Sequence, residues 1–396
     1  MGVSQIALTR GWPSSAPEEV ARLASMISLG EGSTPVIEAP RLARRVGVAR
    51  VLMKLENRNP SGTFIDRGTV YAVAAAKAAG CGWVTAAAGG DAAVSIAAYC
   101  ARAGLGLTIY VPKWANVTSI AQARLMGARV IYTQSWEEAV RKVLGSVCGL
   151  VPSTGYFLLG YAGIAEEIAP VVKEVDHIVM PTSNGGLATA IYEGLRRVGS
   201  EIPAIHVVQD SRCPVIASEV LGYPVRESGD EGETGVCYPV MGRAAVEAVR
   251  GSGGSAAIVD DEAINDAASI LASSEGVVAG RASAVAVAGL SALVSRGVIG
   301  EGETVLLIVT GSAPTYLETI PIVVRATMSR RSICDEVYAV LRNGPNHVRG
   351  VWNVLRQVGR RCSISSVSEC VKRLEAEGRV RCFKEGKKKV CVASEG

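Results

Sequence analysis

Trp83-Val84-Thr85-Ala86 is followed after two alanines by Gly89-Gly90-Asp91-Ala92-Ala93-Val94-Ser95, and a helical run continues to Ala103. A short strand-like run, a glycine turn and an amphipathic helix make one unit of a strand-then-helix alternation. The unit recurs on both sides. Val51 to Leu55 precedes the helical stretch Thr69 to Ala79, and Leu107 to Val111 precedes Ser119 to Met126, with Arg129 to Tyr132 beyond it. A later set, His177 to Met180, Ile205 to Val208 and Val305 to Val309, is rich in β-branched residues and followed by Gly or Pro. Such alternation predicts an α/β fold with parallel-rich sheets covered by helices on both faces.

The chain has 396 residues, 48% of them apolar, enough for a sizeable core and for two or three domains. No apolar run reaches the roughly 18 to 20 residues of a bilayer span, since stretches such as Ala282 to Val294 are broken by Ser and Gly. Met1 to Arg10 lacks the basic start and apolar stretch of a signal peptide, so a cytoplasmic location and no membrane partner are expected. Glu227 to Gly235 and Gly251 to Ser255 read as the most flexible loops.

Ten cysteines show no C-x-x-C pair and no paired spacing with the three histidines, which argues against a metal site. Buried free thiols are the expectation for them, with intracellular disulfides the alternative. His177 and His206 sit inside apolar strands and read as satisfied core residues.

Charge is uneven. Arg331 to Gly396 carries 14 Lys or Arg against 7 Asp or Glu, whereas the chain as a whole is only +4. The tail therefore reads as a separate module with an anionic partner. Ile333 to Leu341 and Val348 to Val358 form two helices, and Ser365 or Ser366 caps a third whose Val367, Cys370, Val371 and Leu374 face inward. Val380 to Phe383 and Val390 to Val392 form a hairpin around Lys384-Glu385-Gly386-Lys387-Lys388-Lys389. This order resembles a winged helix-turn-helix. The resemblance implies double-stranded DNA as partner, with Ser368, Lys372, Arg373, Lys384, Lys387, Lys388 and Lys389 at the contact.

Residues 29 to 318 resemble threonine synthase and its relatives among the fold-type-II enzymes that use pyridoxal 5′-phosphate (PLP). Leu29-Gly30-Glu31-Gly32-Ser33-Thr34-Pro35 is similar to the family's opening segment, and Lys54-Leu55-Glu56 with Asn59-Pro60-Ser61-Gly62-Thr63-Phe64-Ile65-Asp66-Arg67-Gly68 to its cofactor-lysine segment. Gly89 to Ser95 resembles the Ser-Gly-Asn turn, and Val111-Pro112-Lys113 the strand end after it. Pro181-Thr182-Ser183-Asn184-Gly185-Gly186-Leu187 resembles the loop that holds the PLP phosphate, and Thr310-Gly311-Ser312 the motif whose hydroxyl faces the pyridine nitrogen. Glycines after a strand also let backbone N–H groups meet an anion at a helix N-terminus on physical grounds alone.

The resemblance implies a two-lobed body over residues 1–325, a smaller lobe inserted at about 60–150, and a homodimer; the winged-helix module would occupy 326–396, after a connector from Ile320 to Arg330. It implies a cofactor site at Phe64, Asp91, Ser183, Asn184, Gly185, Gly186, Leu187 and Thr310. Three positions depart from it. Ile65 stands where the family carries the lysine that holds PLP, Asp91 where it carries an Asn, and Gly280-Arg281 where it carries Glu-Pro. Lys54, Lys77 and Lys113 are expected at the surface or at strand and helix ends, unable to replace the lysine. Cys213 near a substrate loop is expected to pack.

An isoleucine neither forms the covalent link nor shuttles a proton. No catalytic residue is therefore assigned, and PLP is expected to bind noncovalently at most. The leading expectation is a pseudoenzyme serving as a DNA-binding transcriptional regulator, with an amino acid, a phosphorylated amino acid or PLP as its anionic effector. The alternatives are a divergent PLP-dependent threonine synthase or lyase and a non-catalytic partner of an authentic family enzyme.

Overall fold

The structure, a computed structural model, describes residues 16–144, 146, 148–224, 242–312, 332–342, 347–357, 362–385 and 388–394. Met1 to Arg10, the loop Glu227 to Gly235, the connector Ile320 to Arg330 and Lys387 lie outside them. The chain divides into two compact units, Met1–Leu317 and Glu318–Gly396.

Ten strands build the described part of the first unit: β1 Val36–Glu38, β2 Arg50–Lys54, β3 Trp83–Ala87, β4 Gly106–Pro112, β5 Arg129–Thr133, β6 Gly149–Leu150, β7 His177–Pro181, β8 Ala204–Asp210, β9 Ala256–Val259 and β10 Thr304–Ile308. The helices are α1 Glu18–Ile27, α2 Pro40–Val46, α3 Ile65–Ala78, α4 Gly90–Ala103, α5 Val117–Leu125, α6 Trp136–Val143, α7 Tyr156–Ile168, α8 Gly186–Arg197, α9 Val215–Leu221, α10 Arg243–Gly251, α11 Asp261–Glu275 and α12 Arg281–Ser295. They form two lobes. The larger sheet runs β1-β2-β10-β7-β8-β9 and the smaller β5-β4-β3-β6. All pairings are parallel except that of β1 with β2.

The expected alternation is therefore present, and its run of buried residues in β7 and β10 is what a sheet covered on both faces requires. Helix α3 starts four residues earlier than its periodicity suggests, at Ile65. Its first turn is fixed from outside by charges. Arg67 donates to both carboxylate oxygens of Glu56 at 2.6 and 2.9 Å and to both of Glu167 at 2.7 and 2.8 Å. Lys54, only 1% exposed, donates to Glu167 at 2.5 Å and to the Thr34 carbonyl at 2.6 Å. Two cations meet two carboxylates with most lone pairs used, which is what makes buried ions tolerable. Burial works to raise the Glu167 carboxyl, yet Arg67 and Lys54 hold it down at about 2.

Lys54 ends β2, as expected, but lies buried there rather than at the surface, where Glu167, 113 residues on, supplies the counter-charge. Lys77 donates to the Ala103 carbonyl at 2.5 Å, and Lys113 is exposed. Below the charged cluster α3 crosses α7 where Gly68 and Gly160 face each other. A Cβ on Gly160 would lie 1.7 Å from the Arg67 carbonyl oxygen, and one on Gly68 2.5 Å from that of Phe157.

The expectation of free thiols fails. Cys81 pairs with Cys148, Cys334 with Cys370 and Cys382 with Cys391, and Cys213 is also disulfide-bonded. Cys81 and Cys148 are 67 residues apart, so only the packing of α3 and β6 beside β3 brings their Cα atoms to 5.9 Å. Among the described residues Cys100 and Cys362 remain as thiols.

The second unit holds helices Ile333–Arg342, Val348–Gln357 and Ile364–Ala376 and an antiparallel hairpin of β11 Val380–Glu385 with β12 Lys388–Ala393. It has its own core of Val337, Leu341, Val351, Leu355, Val367, Val371 and Leu374. The third helix begins two or three residues earlier than expected because Ser363, not Ser365 or Ser366, is the cap and accepts the N–H of Ser366. No helix among the described residues is long and apolar enough to cross a membrane.

At the N-terminal ends of β7, β8 and β10 the two strand histidines satisfy each other. Ser255 N–H donates to His206 Nδ1 at 3.0 Å, which leaves the His206 proton on Nε2 to reach His177 Nδ1 at 2.9 Å. His177 then donates from Nε2 to Glu303 at 2.9 Å. Burial, with His177 adding to it, holds His206 down at about 3.

Between pH 6.5 and about 3 the unfolded chain binds a proton at His206 that the native one refuses, so stability falls with falling pH across that window. The melting temperature is expected to drop between pH 7 and pH 4.5, and less so in His206→Asn; equal drops would remove His206 from the account. Glu56→Gln leaves two buried cations facing one carboxylate and is expected to cost about 3 to 5 kcal/mol in urea unfolding. A loss under 1 kcal/mol would show that the cluster contributes little.

Candidate functional site

β7 leads outward through β8 to β9, and the chain then returns to the other side of β7 as β10. The segments that follow β7 and β10 therefore emerge side by side at the carboxyl ends of the strands, the place of the crevice where ligands of open α/β sheets bind. Continuing the register Leu307 opposite Val179 brings Thr310 level with Thr182. The two sequence-predicted segments, Ser183 to Leu187 and Thr310 to Ser312, thus share one crevice although well over a hundred residues separate them.

The first segment forms a turn into α8. Gly185 has φ +86°, a left-handed conformation, and a Cβ there would lie 2.2 Å from Cβ of Ala245. Gly186 is pressed against Ser153, where a Cβ would come within 2.5 Å. Asn184 braces the turn by donating to the Pro152 carbonyl at 3.2 Å and accepting the Gly186 N–H at 3.3 Å. The Ser183 carbonyl accepts from Gln209 at 3.0 Å. Leu187 is buried, so the first helical turn offers backbone N–H groups rather than side chains. An anion fits there, with the dipole of a 12-residue helix behind it.

The second segment is held by hydrogen bonds from three sides. Phe64 N–H donates to the Thr310 carbonyl at 3.0 Å, Ser312 N–H to the Gly62 carbonyl at 2.8 Å, and Gly280 N–H to the Gly311 carbonyl at 2.9 Å. Ser283 Oγ donates to that same carbonyl and accepts the Gly311 N–H, both at 3.0 Å. Thr310 Oγ1 is buried and has no hydrogen-bond partner among the described residues. A buried hydroxyl without a partner costs free energy unless a ligand completes it.

Asp91, the second residue of α4, reaches the same place: its Oδ2 lies 2.5 Å from where a Cβ on Gly311 would be. The Phe64 ring packs on Tyr161 with centroids 4.8 Å apart. Ile65 opens α3, half-buried against the core of the smaller lobe. Asp66 beside it is fully buried and accepts from Ser61 N–H at 2.7 Å and Ser61 Oγ at 2.5 Å. Burial pushes its carboxyl up to about 6 although these bonds oppose the rise.

Sequence reasoning missed the work of Ser283 and Asp66. Asp66 lies in a segment that carried the resemblance and Ser283 just after the departing Gly280-Arg281, but their partners Ser61 and Gly311 become visible only once the loops close on each other. Arg281, a departure from the family pattern, is explained as structure. It is 7% exposed and donates to Asp210 at 3.0 Å and to Asp261, while Arg212 closes on Asp210 at 2.8 Å and Asp261 at 2.9 Å.

In the second unit Ser368, Lys372, Arg373 and Lys384 lie along the third helix and the hairpin, with Lys372, Arg373 and Lys384 exposed. Two of the expected contact cations have acidic neighbours: Lys389 meets Glu375 at 2.7 Å and Arg373 meets Glu377 at 2.9 Å. Lys387 and the side chain of Lys388 lie outside the described residues.

Comparison with known proteins supplies the family. The profile described as "Pyridoxal-phosphate dependent enzyme" matches residues 27–311. A threonine synthase of Methanosarcina acetivorans is 33% identical over 305 residues, covering 72% of this chain and 75% of that protein. One of Halalkalibacterium halodurans is 31% identical over 300 residues, covering 72% and 84%. Among solved structures a fungal L-serine ammonia-lyase from Rhizomucor miehei superposes with a TM-score of 0.64 at 20% identity, over 75% of this chain and 98% of that one. Maize serine racemase gives 0.63 at 20% identity, over 76% and 95%; at such identity these two show the fold alone. The expectation of a DNA-binding regulator is overturned by the curated relatives, which are threonine synthases over the body that was to be its sensor. A match from residue 27 to residue 311, over a fold in which the turn before α8 and the segment Thr310 to Ser312 lie at neighbouring strand ends, places the chain in the family of pyridoxal-phosphate dependent enzymes.

Proposed function

We propose that this chain is a divergent PLP-dependent threonine synthase or lyase that holds its cofactor without a covalent bond. The observation that carries the reading is the convergence, at one crevice, of the anion-ready turn of Ser183 to Leu187 with the unpartnered hydroxyl of Thr310. The phosphate of PLP would lie on the turn, and Thr310 would meet the ring nitrogen. Phe64 and Asp91 would line the ring's surroundings. PLP, when bound, supplies an electron sink for carbanion chemistry at an amino acid.

The chain's own residues bind and orient. Ser283 fixes the Thr310 to Ser312 segment, and the Arg67 cluster fixes the start of α3. At position 65 the amine is missing, and Lys54 cannot serve in its place because its ammonium is held by Glu167 and Thr34. The described helices and hairpin of the second unit we read as a winged helix-turn-helix, on the order of three helices and two antiparallel strands over a single core.

The wild-type chain is expected to take up PLP and to lose it completely on dialysis, before or after borohydride treatment. In Ile65→Lys, borohydride should fix the cofactor at position 65, located by peptide mass spectrometry. Cofactor retained on a native lysine of the wild type would sink the noncovalent reading. Gly185→Ala forces a Cβ into Ala245 from a left-handed backbone and is expected to weaken PLP at least about tenfold, in keeping with about 1 to 3 kcal/mol of strain. Unchanged affinity in equilibrium dialysis would move the phosphate elsewhere.

A further inference from the structure

All five cysteines of the second unit, Cys334, Cys362, Cys370, Cys382 and Cys391, belong to its one apolar core, and four of them are joined in two disulfides. We infer that this unit is a redox-conditional module: it holds its fold, and the cationic strand pair of its hairpin, while Cys334–Cys370 and Cys382–Cys391 are closed, and gives both up when a dithiol opens them.

A single apolar core in a unit as short as Glu318–Gly396 seldom keeps its chain folded without cross-links. The bridges sit where that support is needed. Cys334 lies in the helix Ile333–Arg342 and Cys370 in Ile364–Ala376, 36 residues apart, so their bond closes a loop around the whole of the helix Val348–Gln357. Cys382 and Cys391 face each other in register across the hairpin. That hairpin is weak by itself. Two strands alone are marginal in water, and Lys384 stands directly opposite Lys389, a like-charge pair that pushes the strands apart. The exposed contact of Lys389 with Glu375 offsets little of this.

Reduced thiols still fill their places in the core. What reduction removes is the cross-link, which restricts the unfolded chain and stabilises more the longer the loop it closes. Cys334 and Cys382 are half-buried, so one end of each bridge is open to an attacking thiolate. In each exchange the dithiol gives up two electrons and two protons and becomes a disulfide itself, while the bridge becomes two thiols. The first unit is not expected to follow, since three large apolar clusters hold it besides its own disulfides.

Hydrogen exchange of the full chain, read by peptide mass spectrometry with and without dithiothreitol, follows both units at once. With the bridges open, amide protection in Ile364–Ala376, Val380–Glu385 and Lys388–Ala393 is expected to fall at least about a hundredfold, while that of β7 and β10 stays as it was. Reoxidation with glutathione disulfide is expected to restore it. In Cys382→Ala/Cys391→Ala the loss is expected in the hairpin and not in the third helix, which Cys334–Cys370 still ties. Unchanged protection in the second unit on complete reduction overturns the inference, as do bridges that survive excess dithiothreitol, an equal loss in β7 and β10, or no recovery on reoxidation. A hairpin still protected in the double variant would remove Cys382–Cys391 from the device, and with it the control of the cationic strands.

Discussion

Arg67 is the cation on which the geometry of the crevice depends. Its guanidinium closes on Glu56 after β2 and on Glu167 in α7, with Lys54 sharing the second carboxylate. One group therefore ties the larger sheet to the first turn of α3 and to α7. The price of removing four charges from water is offset only because nearly every donor and acceptor finds a partner. Such a cluster tolerates almost no change, in contrast to an exposed pair such as Arg373 with Glu377.

Beneath this anchor the two helices approach through Gly68 and Gly160 until backbone meets backbone. Close packing of the two helices holds the first turn of α3 in place, and Ile65 opens that turn with a side chain that carries no amine. At Gly280-Arg281 the departing residues act as structure, Gly280 through its N–H on Gly311 and Arg281 through its ion pair with Asp210.

The disulfides show how context overrides composition. Cys81 and Cys148 carry no spacing signal because their partnership depends on where β6 docks against β3, and neither end encodes that locally. Lys54 is a similar case. A lysine at a strand end reads as solvated until the fold brings Glu167 over it.

Local patterns alone determined the parallel α/β class, the approximate places of the main strands and helices and the glycine turn before α8, because hydrophobic period and backbone freedom are properties of neighbouring residues. They also determined that position 65 lacks an amine, which no folding can change. Tertiary structure alone decided that Thr310 and Ser183 face one crevice, that Asp91 touches Gly311, that Ser283 locks that loop and that His177 and His206 share a proton chain. Each of these joins residues far apart in the chain through sheet order and loop closure, and a contact between distant segments has no signature within either one.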